Sequence, residues 1–242
     1  MASDLRIEAG AFGPVLHPAG GSETIILYLP GNYDAGTGAE PALDNAARLA
    51  ELTGATVVYC RYRSTFPAAL ADVHAAYRYC QDAGSVVVAG ERMGAGLAAA
   101  LLVQLRDSGT ALPRCAVLVS ALLDLTMQAK SLRLHASGDS AVRITELRQR
   151  VADYAGGTMR TDPYLSPLYA NLHGLAPVQL LVAGTDPLLD DSLAFATRAA
   201  RSGVAVDLRV WPEATSLDTA TATAMADFIL GWNRNAEALT SH

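Results

Sequence analysis

The segment Val86-Val-Val-Ala-Gly90-Glu-Arg-Met-Gly94-Ala-Gly96 decides the fold of this chain. A β-branched, apolar run leads into a short turn flanked by Gly90 and Gly94, and a helical pattern then continues to Arg106. A strand that enters a helix through so sharp a turn needs glycines, because the helix packs tightly against the strand. The segment therefore predicts a strand, a strained turn and a helix, in that order.

Short apolar strand candidates alternate with longer helical patterns along the rest of the chain. The predicted strands are Thr24–Leu29, Thr56–Tyr59, Ser85–Ala89, Cys115–Val119, Val178–Val182 and Asp207–Trp211. The predicted helices are Leu43–Leu52, Ala68–Asp82, Gly94–Arg106, Ser192–Ser202 and Asp218–Trp232. Most of the strands are apolar without alternation, which is typical of strands covered by helices on both faces. We therefore predict an α/β fold with a doubly wound, mostly parallel sheet in one domain, residues 1–242.

The stretch from Asp124 to Tyr164 interrupts this alternation. It contains no strand candidate, only a polar loop and one amphipathic helix, Arg143–Tyr154. An insertion between strands of such a sheet usually lies over the carboxyl edge of the strands, where ligands bind. We therefore expect residues 124–164 to form a small helical cap over the site rather than a second domain.

Charge and apolar patterning exclude two classes of partner. The chain has 242 residues with 18 basic and 24 acidic side chains, a net charge of −6 and no Lys/Arg cluster, which argues against nucleic-acid binding. The longest apolar stretch, Ala95–Val103, is about half the length of a membrane-spanning helix, and the first eight residues carry charges. We expect a soluble, cytoplasmic protein without a membrane partner.

Neither a cofactor nor a metal is predicted. The run Gly94-Ala-Gly96-Leu-Ala-Ala99 fits the G-x-G-x-x-A dinucleotide pattern, but that fingerprint also needs an acidic residue at the end of the next strand. That strand ends at Val119-Ser120-Ala121, which has none. The three cysteines are far apart, and no pair has the spacing of a zinc site.

Several motifs in the same order resemble the hormone-sensitive-lipase-like branch of the α/β-hydrolase family. The turn at Gly90–Gly94 is similar to the nucleophile elbow G-x-S-x-G, which reads G-D-S-A-G-G in that branch. The further similar stretches are Tyr62–Asp72, Ser120–Thr126, Asp162–Leu168 and Gly184–Asp191. The resemblance spans about Glu23–Trp232, lacks the family's N-terminal cap helices, and implies the α/β-hydrolase fold with an esterase-like pocket.

The resemblance also places the triad positions, and two of them depart from the family. Arg92 stands where the family has its serine nucleophile, and Ser216 stands where it has its histidine. Asp186 matches the acid of the triad. The resemblance thus makes Arg92, Ser216 and Asp186 candidate catalytic residues, together with Glu91 beside the elbow.

Three of these residues have competing interpretations. Asp186 is a remnant of the triad, a salt-bridge partner, or a base if it is left unpaired. Arg92 either fills the space left by the histidine and pairs with Asp186, or binds an anionic oxygen of the substrate through its planar guanidinium. Glu91 either supports the turn or, if desolvated, acts as a general base.

The candidate substrate-binding residues follow from the family's oxyanion loop H-G-G-G, which appears here as Pro30-Gly31-Asn32-Tyr33. Gly31 keeps one glycine of that loop, Asn32 would replace a lost donor, and Tyr33 would fill or roof the pocket. The backbone N–H of Met93 would donate to an oxyanion. His135 is the histidine expected nearest the pocket, with a surface position as the alternative.

The departures at the triad determine the predicted function. A guanidinium stays protonated and cannot attack an ester, and a serine has no useful base strength at the histidine position. The sequence therefore predicts a repurposed, non-hydrolytic enzyme that eliminates, isomerises, epimerises or cyclises an ester- or lactone-like small molecule. The alternatives are a non-catalytic small-molecule-binding protein and an atypical hydrolase that uses Asp186 or Glu91. A homodimer is expected to cover apolar surface left by the absent helices.

Overall fold

An eight-stranded sheet with the order β1-β2-β4-β3-β5-β6-β7-β8 forms the centre of the computed structural model, which describes residues 5–31, 39–134, 139–213 and 219–240. The strands are β1 Arg6–Gly10, β2 Gly13–His17, β3 Thr24–Leu29, β4 Thr56–Tyr59, β5 Ser85–Glu91, β6 Ala116–Val119, β7 Val178–Ala183 and β8 Val206–Trp211. Strand β2 is antiparallel to both of its neighbours, and the strands from β4 to β8 run parallel. The prediction of a mostly parallel sheet is confirmed.

Helices cover both faces of the sheet. They are α1 Ala39–Thr53, α2 Ala68–Ala83, α3 Met93–Asp107, α4 Lys130–Leu134, α5 Asp139–Ala155, α6 Leu189–Arg201 and α7 Thr219–Thr240, with a 3-10 helix at Pro167–Tyr169. One apolar core lies between the sheet and helices α2, α3 and α6, and the other lies between the sheet and helices α1 and α7. This arrangement confirms the doubly wound fold. Within the described ranges, no helix is long and apolar enough to cross a membrane.

The sheet begins earlier than the sequence analysis predicted. Strands β1 and β2 form a hairpin at the edge of the sheet, and the prediction placed the first strand at Thr24. The first four residues of β1 are exposed, Ile7 among them with 51% of its surface accessible. A short, exposed edge strand has little of the apolar run by which strands are recognised in a sequence.

The stretch from Asp124 to Tyr164 holds helices α4 and α5 and, in its described part, no strand. Ile144, Val151 and Tyr154 of α5 belong to the same apolar core as helix α3. The insertion therefore shares its core with the rest of the protein instead of building one of its own.

Close backbone contacts hold helix α3 against the strands beside it. A Cβ atom at Gly94 would lie 2.2 Å from the carbonyl oxygen of Leu29, and one at Gly90 would lie 2.6 Å from the carbonyl oxygen of Gly94. A Cβ at Gly96 would lie 2.1 Å from the carbonyl oxygen of Leu122. Only glycine allows these approaches, which is the reason inferred from the sequence for the glycines at the turn.

We expect Gly94→Ala to lower the free energy of unfolding by about 1–3 kcal/mol or more, because backbone must move to admit the new methyl group. Gly231→Ala is the matched control, since it also changes a helical glycine but meets no atom within 4 Å. The control should raise the free energy of unfolding by about 0.5–1 kcal/mol through helix propensity. Urea unfolding followed by circular dichroism measures both, and equal effects would contradict the packing explanation.

Candidate active site

Arg92 occupies the turn between β5 and α3 in a strained backbone conformation, with φ 50° and ψ −113°. Its N–H donates to the carbonyl of Val119 at 2.9 Å. Its own carbonyl accepts from the N–H groups of Leu122 and Gly96, both at 3.1 Å. A positive φ is unfavourable for a side chain of this size and persists only where the surroundings impose it. The chain thus builds an elbow at the predicted residue, with the Arg92 side chain exposed.

Helix α3 begins at Met93, directly after the elbow residue. No described residue accepts a hydrogen bond from the Met93 N–H, which is one of the donors left open at a helix N-terminus. Gly31 lies beside it, because a Cβ at Gly31 would be 2.6 Å from the carbonyl oxygen of Glu91 and 3.0 Å from the Cβ of Arg92. The elbow therefore offers an N–H donor next to the loop that the sequence predicts to bind substrate.

The carboxylate of Asp186 is buried and turned into its own loop. Asp186 has only 5% of its surface exposed, and its Oδ1 accepts a hydrogen bond from the N–H of Leu188 at 2.8 Å. No ion pair joins Asp186 to Arg92, so the predicted pairing is wrong. The backbone donor meets the need of the buried acid for a partner, and the exposed guanidinium stays at the surface of the elbow.

Glu91 lies on the opposite face of the sheet from the elbow cavity. Its Oε1 accepts from the hydroxyl of Tyr28 on β3 and from Nδ2 of Asn45 on α1, the latter at 3.2 Å. Burial raises the pKa of this carboxyl, while the two donors and the charge of Arg92 oppose the shift. Of the two predicted roles, these contacts favour support of the turn over action as a general base.

A small apolar cavity extends along helix α3 from the elbow. Its walls are Met93, Gly96, Leu97, Ala100, Leu122, Leu125, Tyr154, Tyr164 and Leu165. The space between them is about 210 Å³ with the open mouth included. The hydroxyl of Tyr164 donates to Asp107 at 2.9 Å, which holds that ring in the wall. The cavity is therefore narrow, and Met93, the residue after the elbow, forms part of its wall.

Comparisons with known proteins support the same assignment of the fold. Residues 31–215 match the family model described as alpha/beta hydrolase fold. The crystal structure of an esterase from the bacterial hormone-sensitive lipase family superposes with a TM-score of 0.86 at 29% identity, covering 96% of this chain and 84% of that one. This chain is a hormone-sensitive-lipase-like α/β-hydrolase.

Curated relatives of this chain carry the names of hydrolases. An acetyl-hydrolase of Streptomyces hygroscopicus is 34% identical over 206 residues, which is 82% of this chain and 69% of the relative. An esterase of Acinetobacter venetianus is 32% identical over 127 residues, which is 52% of this chain and 42% of the relative. The chain thus spans about two fifths to two thirds of the length of these two relatives.

These names overturn the function predicted from the triad departures. The sequence predicts a non-hydrolytic tailoring enzyme, with a binding protein and a hydrolase that uses Asp186 or Glu91 as alternatives, and nothing in the relatives points to a lost or replaced reaction. The prediction was wrong because it weighed two side-chain positions alone, whereas the elbow backbone at Arg92 and the donor at Met93 are retained.

Four predicted site residues lie outside the described residues, namely Asn32, Tyr33, His135 and Ser216. The structure brings together Gly31, Glu91, Arg92 and Met93 at the elbow.

Two supports of this hydrolase site, Tyr28 and Asn45, were missed by the sequence analysis. Their side chains approach Glu91 from 63 and 46 positions away in the chain, so no local pattern links them to the elbow. The sequence feature that could have indicated this contact is Tyr28, whose buried hydroxyl lies in a mostly aliphatic strand and needs a hydrogen-bond partner.

The acid loop of the hydrolase is tied to the loop after β6 by a second carboxylate. Oδ2 of Asp191 accepts from the N–H groups of Leu123 and Asp124, at 2.9 and 3.0 Å. Burial raises the pKa of Asp191 to about 6, with contributions from the charges of Asp124 and Asp190, although the two backbone donors oppose the shift. Asp191 thus connects helix α6 to the loop after β6, and the same loop also hydrogen-bonds to the elbow.

This pKa predicts a pH dependence of stability. Because the pKa of Asp191 is higher in the folded protein than its ordinary value of 3.8, the folded state binds more protons between about pH 4 and pH 6. The free energy of unfolding should therefore fall as the pH rises through that window, by at most about 3 kcal/mol from this group.

Asp191→Asn should flatten that fall while keeping an oxygen acceptor for the two N–H groups. Asp82→Asn, which removes an exposed carboxylate on α2, is the control for the change of net charge. Urea unfolding at half-unit steps from pH 4 to pH 8 measures the slopes. Parallel pH curves for wild type and Asp191→Asn would contradict the assignment.

Proposed function

We propose that this chain hydrolyses carboxylic esters of small acyl groups. The observation that carries the proposal is the strained elbow, where Arg92 keeps a φ of 50° between β5 and α3. Close packing of α3 on the sheet imposes this backbone and places the side chain at position 92 directly before the Met93 N–H. The conformation supports a reacting group held in front of the Met93 N–H, which is the position that stabilises the oxyanion in acyl transfer. The relatives named as an acetyl-hydrolase and an esterase support the same reaction class.

The cavity beside the elbow is narrow. Its enclosed volume is about 10 Å³, the space of about one water molecule, and aliphatic and aromatic side chains form its walls. A narrow cavity favours small acyl groups over long acyl chains, and the relative named as an acetyl-hydrolase supports a small acyl group.

The attacking oxygen in this chain must differ from that of the family's covalent route. That route needs a hydroxyl at the elbow, and position 92 carries a guanidinium that stays protonated at physiological pH. We propose that water attacks the ester carbonyl and that the oxyanion faces the Met93 N–H and the positive charge of Arg92. The attacking water loses one proton to solvent. The oxyanion then re-forms the carbonyl as the C–O bond to the alcohol breaks, the alcohol takes a proton from solvent, and the carboxylic acid is released.

The first experiment measures hydrolysis of p-nitrophenyl acetate, butyrate and octanoate by the purified protein. We expect turnover of acetate and butyrate, and a much lower kcat/KM for octanoate because of the cavity size. Arg92→Gln should lower the rate by about 10²-fold, because it removes the positive charge that faces the oxyanion. Since the variant is purified in parallel, it also serves as a control for esterase carried over from the expression host. Equal release by wild type, Arg92→Gln and buffer would overturn the proposal.

The source of the attacking oxygen is measured separately. Acid-quenched reactions analysed by intact mass should contain no acyl-protein adduct, and hydrolysis in H₂¹⁸O should place one ¹⁸O atom in the released acid. Serine-directed fluorophosphonates should leave the protein unlabelled. A stable adduct mapped to one serine would instead assign the attack to that side chain and contradict direct attack by water.

Rebuilding the family's nucleophile tests whether the elbow is competent for acyl transfer. Arg92→Ser combined with Ser216→His should give burst kinetics and an acyl-enzyme adduct, because Asp186 and the Met93 donor are already present. The replacement of two loop glycines by Asn32 and Tyr33 should hold the rate about 10²–10³-fold below that of a complete site. Each single variant should show no burst. A folded double variant without burst or adduct would contradict this placement of the triad.

A further inference from the structure

The half-buried carboxylate of Glu91 connects the elbow strand with the chain segments on both sides of the predicted substrate-binding loop. We propose that Glu91 is a positioning residue, which holds the Pro30–Gly31 backbone and helix α1 in register with the elbow through Tyr28 and Asn45. The kinetic part of this proposal rests on the proposed ester hydrolysis. The structural part does not.

The alternation of strand β5 separates Glu91 from the reacting side of the elbow. Val87 and Ala89 point into the core under helices α1 and α7, while Val86 and Val88 point into the core under α3. Glu91 continues the first series and meets Tyr28 and Asn45 on the α1 face. Its side chain can thus act on the substrate only through the backbone that it holds.

The two donors to Glu91 flank the loop from both directions along the chain. Tyr28 lies two residues before Pro30, and Asn45 lies in the second turn of α1, which begins at Ala39. Both donate to the same oxygen, Oε1. A single acceptor therefore fixes the end of β3 and the start of α1 to the last residue before the elbow.

The backbone after β3 is also in direct contact with the elbow. The absence of a Cβ at Gly31 allows the chain to pass the Glu91 carbonyl, which a methyl group would approach to 2.6 Å. The hydroxyl of Tyr62 donates to the carbonyl oxygen of Pro30 and limits movement of this backbone away from the elbow. Release of the Glu91 contacts would therefore shift the Pro30–Gly31 backbone relative to the Met93 N–H.

The position of Glu91 makes these contacts strong. Hydrogen bonds to a carboxylate are about twice as strong as those between neutral groups. Tyr28 is fully buried and stacks on Tyr59 with ring centroids 6.0 Å apart, so its hydroxyl has no access to solvent as a substitute partner. Loss of the acceptor leaves the fully buried hydroxyl of Tyr28 without its hydrogen-bond partner.

The test uses Tyr28→Phe, Asn45→Ala, Glu91→Ala and Glu91→Gln in the full chain. Tyr77→Phe is the matched control, because it also removes the hydroxyl of a buried tyrosine, one that donates to the carbonyl of Ala111 at 2.7 Å and lies on the opposite face of the sheet. Glu91→Gln keeps an oxygen acceptor and serves as the conservative variant. The readouts are the steady-state kinetics with p-nitrophenyl acetate and amide hydrogen exchange followed by mass spectrometry.

Tyr28→Phe and Glu91→Ala should lower kcat about ten- to a hundredfold and change KM by less than about threefold. These variants displace the backbone next to the oxyanion, and contacts to the oxyanion are made only in the transition state. Glu91→Gln should recover most of that loss. Tyr77→Phe should leave kcat unchanged. Amides of residues 43–50 should exchange at least about tenfold faster in Glu91→Ala than in Tyr77→Phe, because α1 loses its link to β5.

The two readouts keep failure of this inference distinct from failure of the proposed function. If the wild type hydrolyses no ester, the proposed function fails, and the exchange data alone decide whether Glu91 holds α1 in place. If exchange at residues 43–50 is unchanged in Glu91→Ala, the inference is overturned whatever the kinetics show. If exchange rises but kcat does not fall in an active protein, Glu91 is a stabilising residue only and the positioning role is overturned.

Discussion

The close approach of helix α3 to strand β3 is the constraint on which the site depends. The backbone of Gly94 lies so near the Leu29 carbonyl that no side chain fits between them. Because the helix must start so close to the sheet, the chain has to reverse within the single residue between β5 and α3. That residue, Arg92, takes a positive φ, and the first N–H of the helix is left open beside it.

The two faces of the sheet at strand β5 carry different features, because successive side chains of the strand point to opposite faces. Residues on one face surround the cavity along α3, and Glu91 on the other face collects the polar contacts from β3 and α1. The apolar cavity at Met93 and the part-buried hydrogen-bond network at Glu91 thus lie two residues apart in the chain, on opposite faces of the sheet. The polar groups stay satisfied and the cavity stays apolar.

Carboxylates rather than ion pairs connect the loops around the site. Asp191 accepts from the backbone after β6, Asp186 accepts from its own loop, and Glu91 accepts from Tyr28 and Asn45. Backbone and neutral donors satisfy these acids, so the exposed guanidinium of Arg92 is not needed as their partner. For this reason the ion pair expected from the sequence does not form, and Asp186 and Asp191 still remain buried.

The sequence by itself determined the elements that depend on local pattern. Apolar runs without alternation and glycines four apart identified the strands from Thr24 onward, the elbow at Arg92 and the doubly wound sheet, because burial and close packing restrict residue types at those positions. The exposed hairpin of β1 and β2 carries no such restriction and was missed. Which polar groups meet depends on the three-dimensional fold, because Tyr28, Asn45 and Glu91 are far apart in sequence and their contact follows from sheet register and helix placement. The tertiary structure likewise decided that Asp186 bonds to backbone and not to Arg92, because that choice depends on where each side chain is turned after the loops have packed.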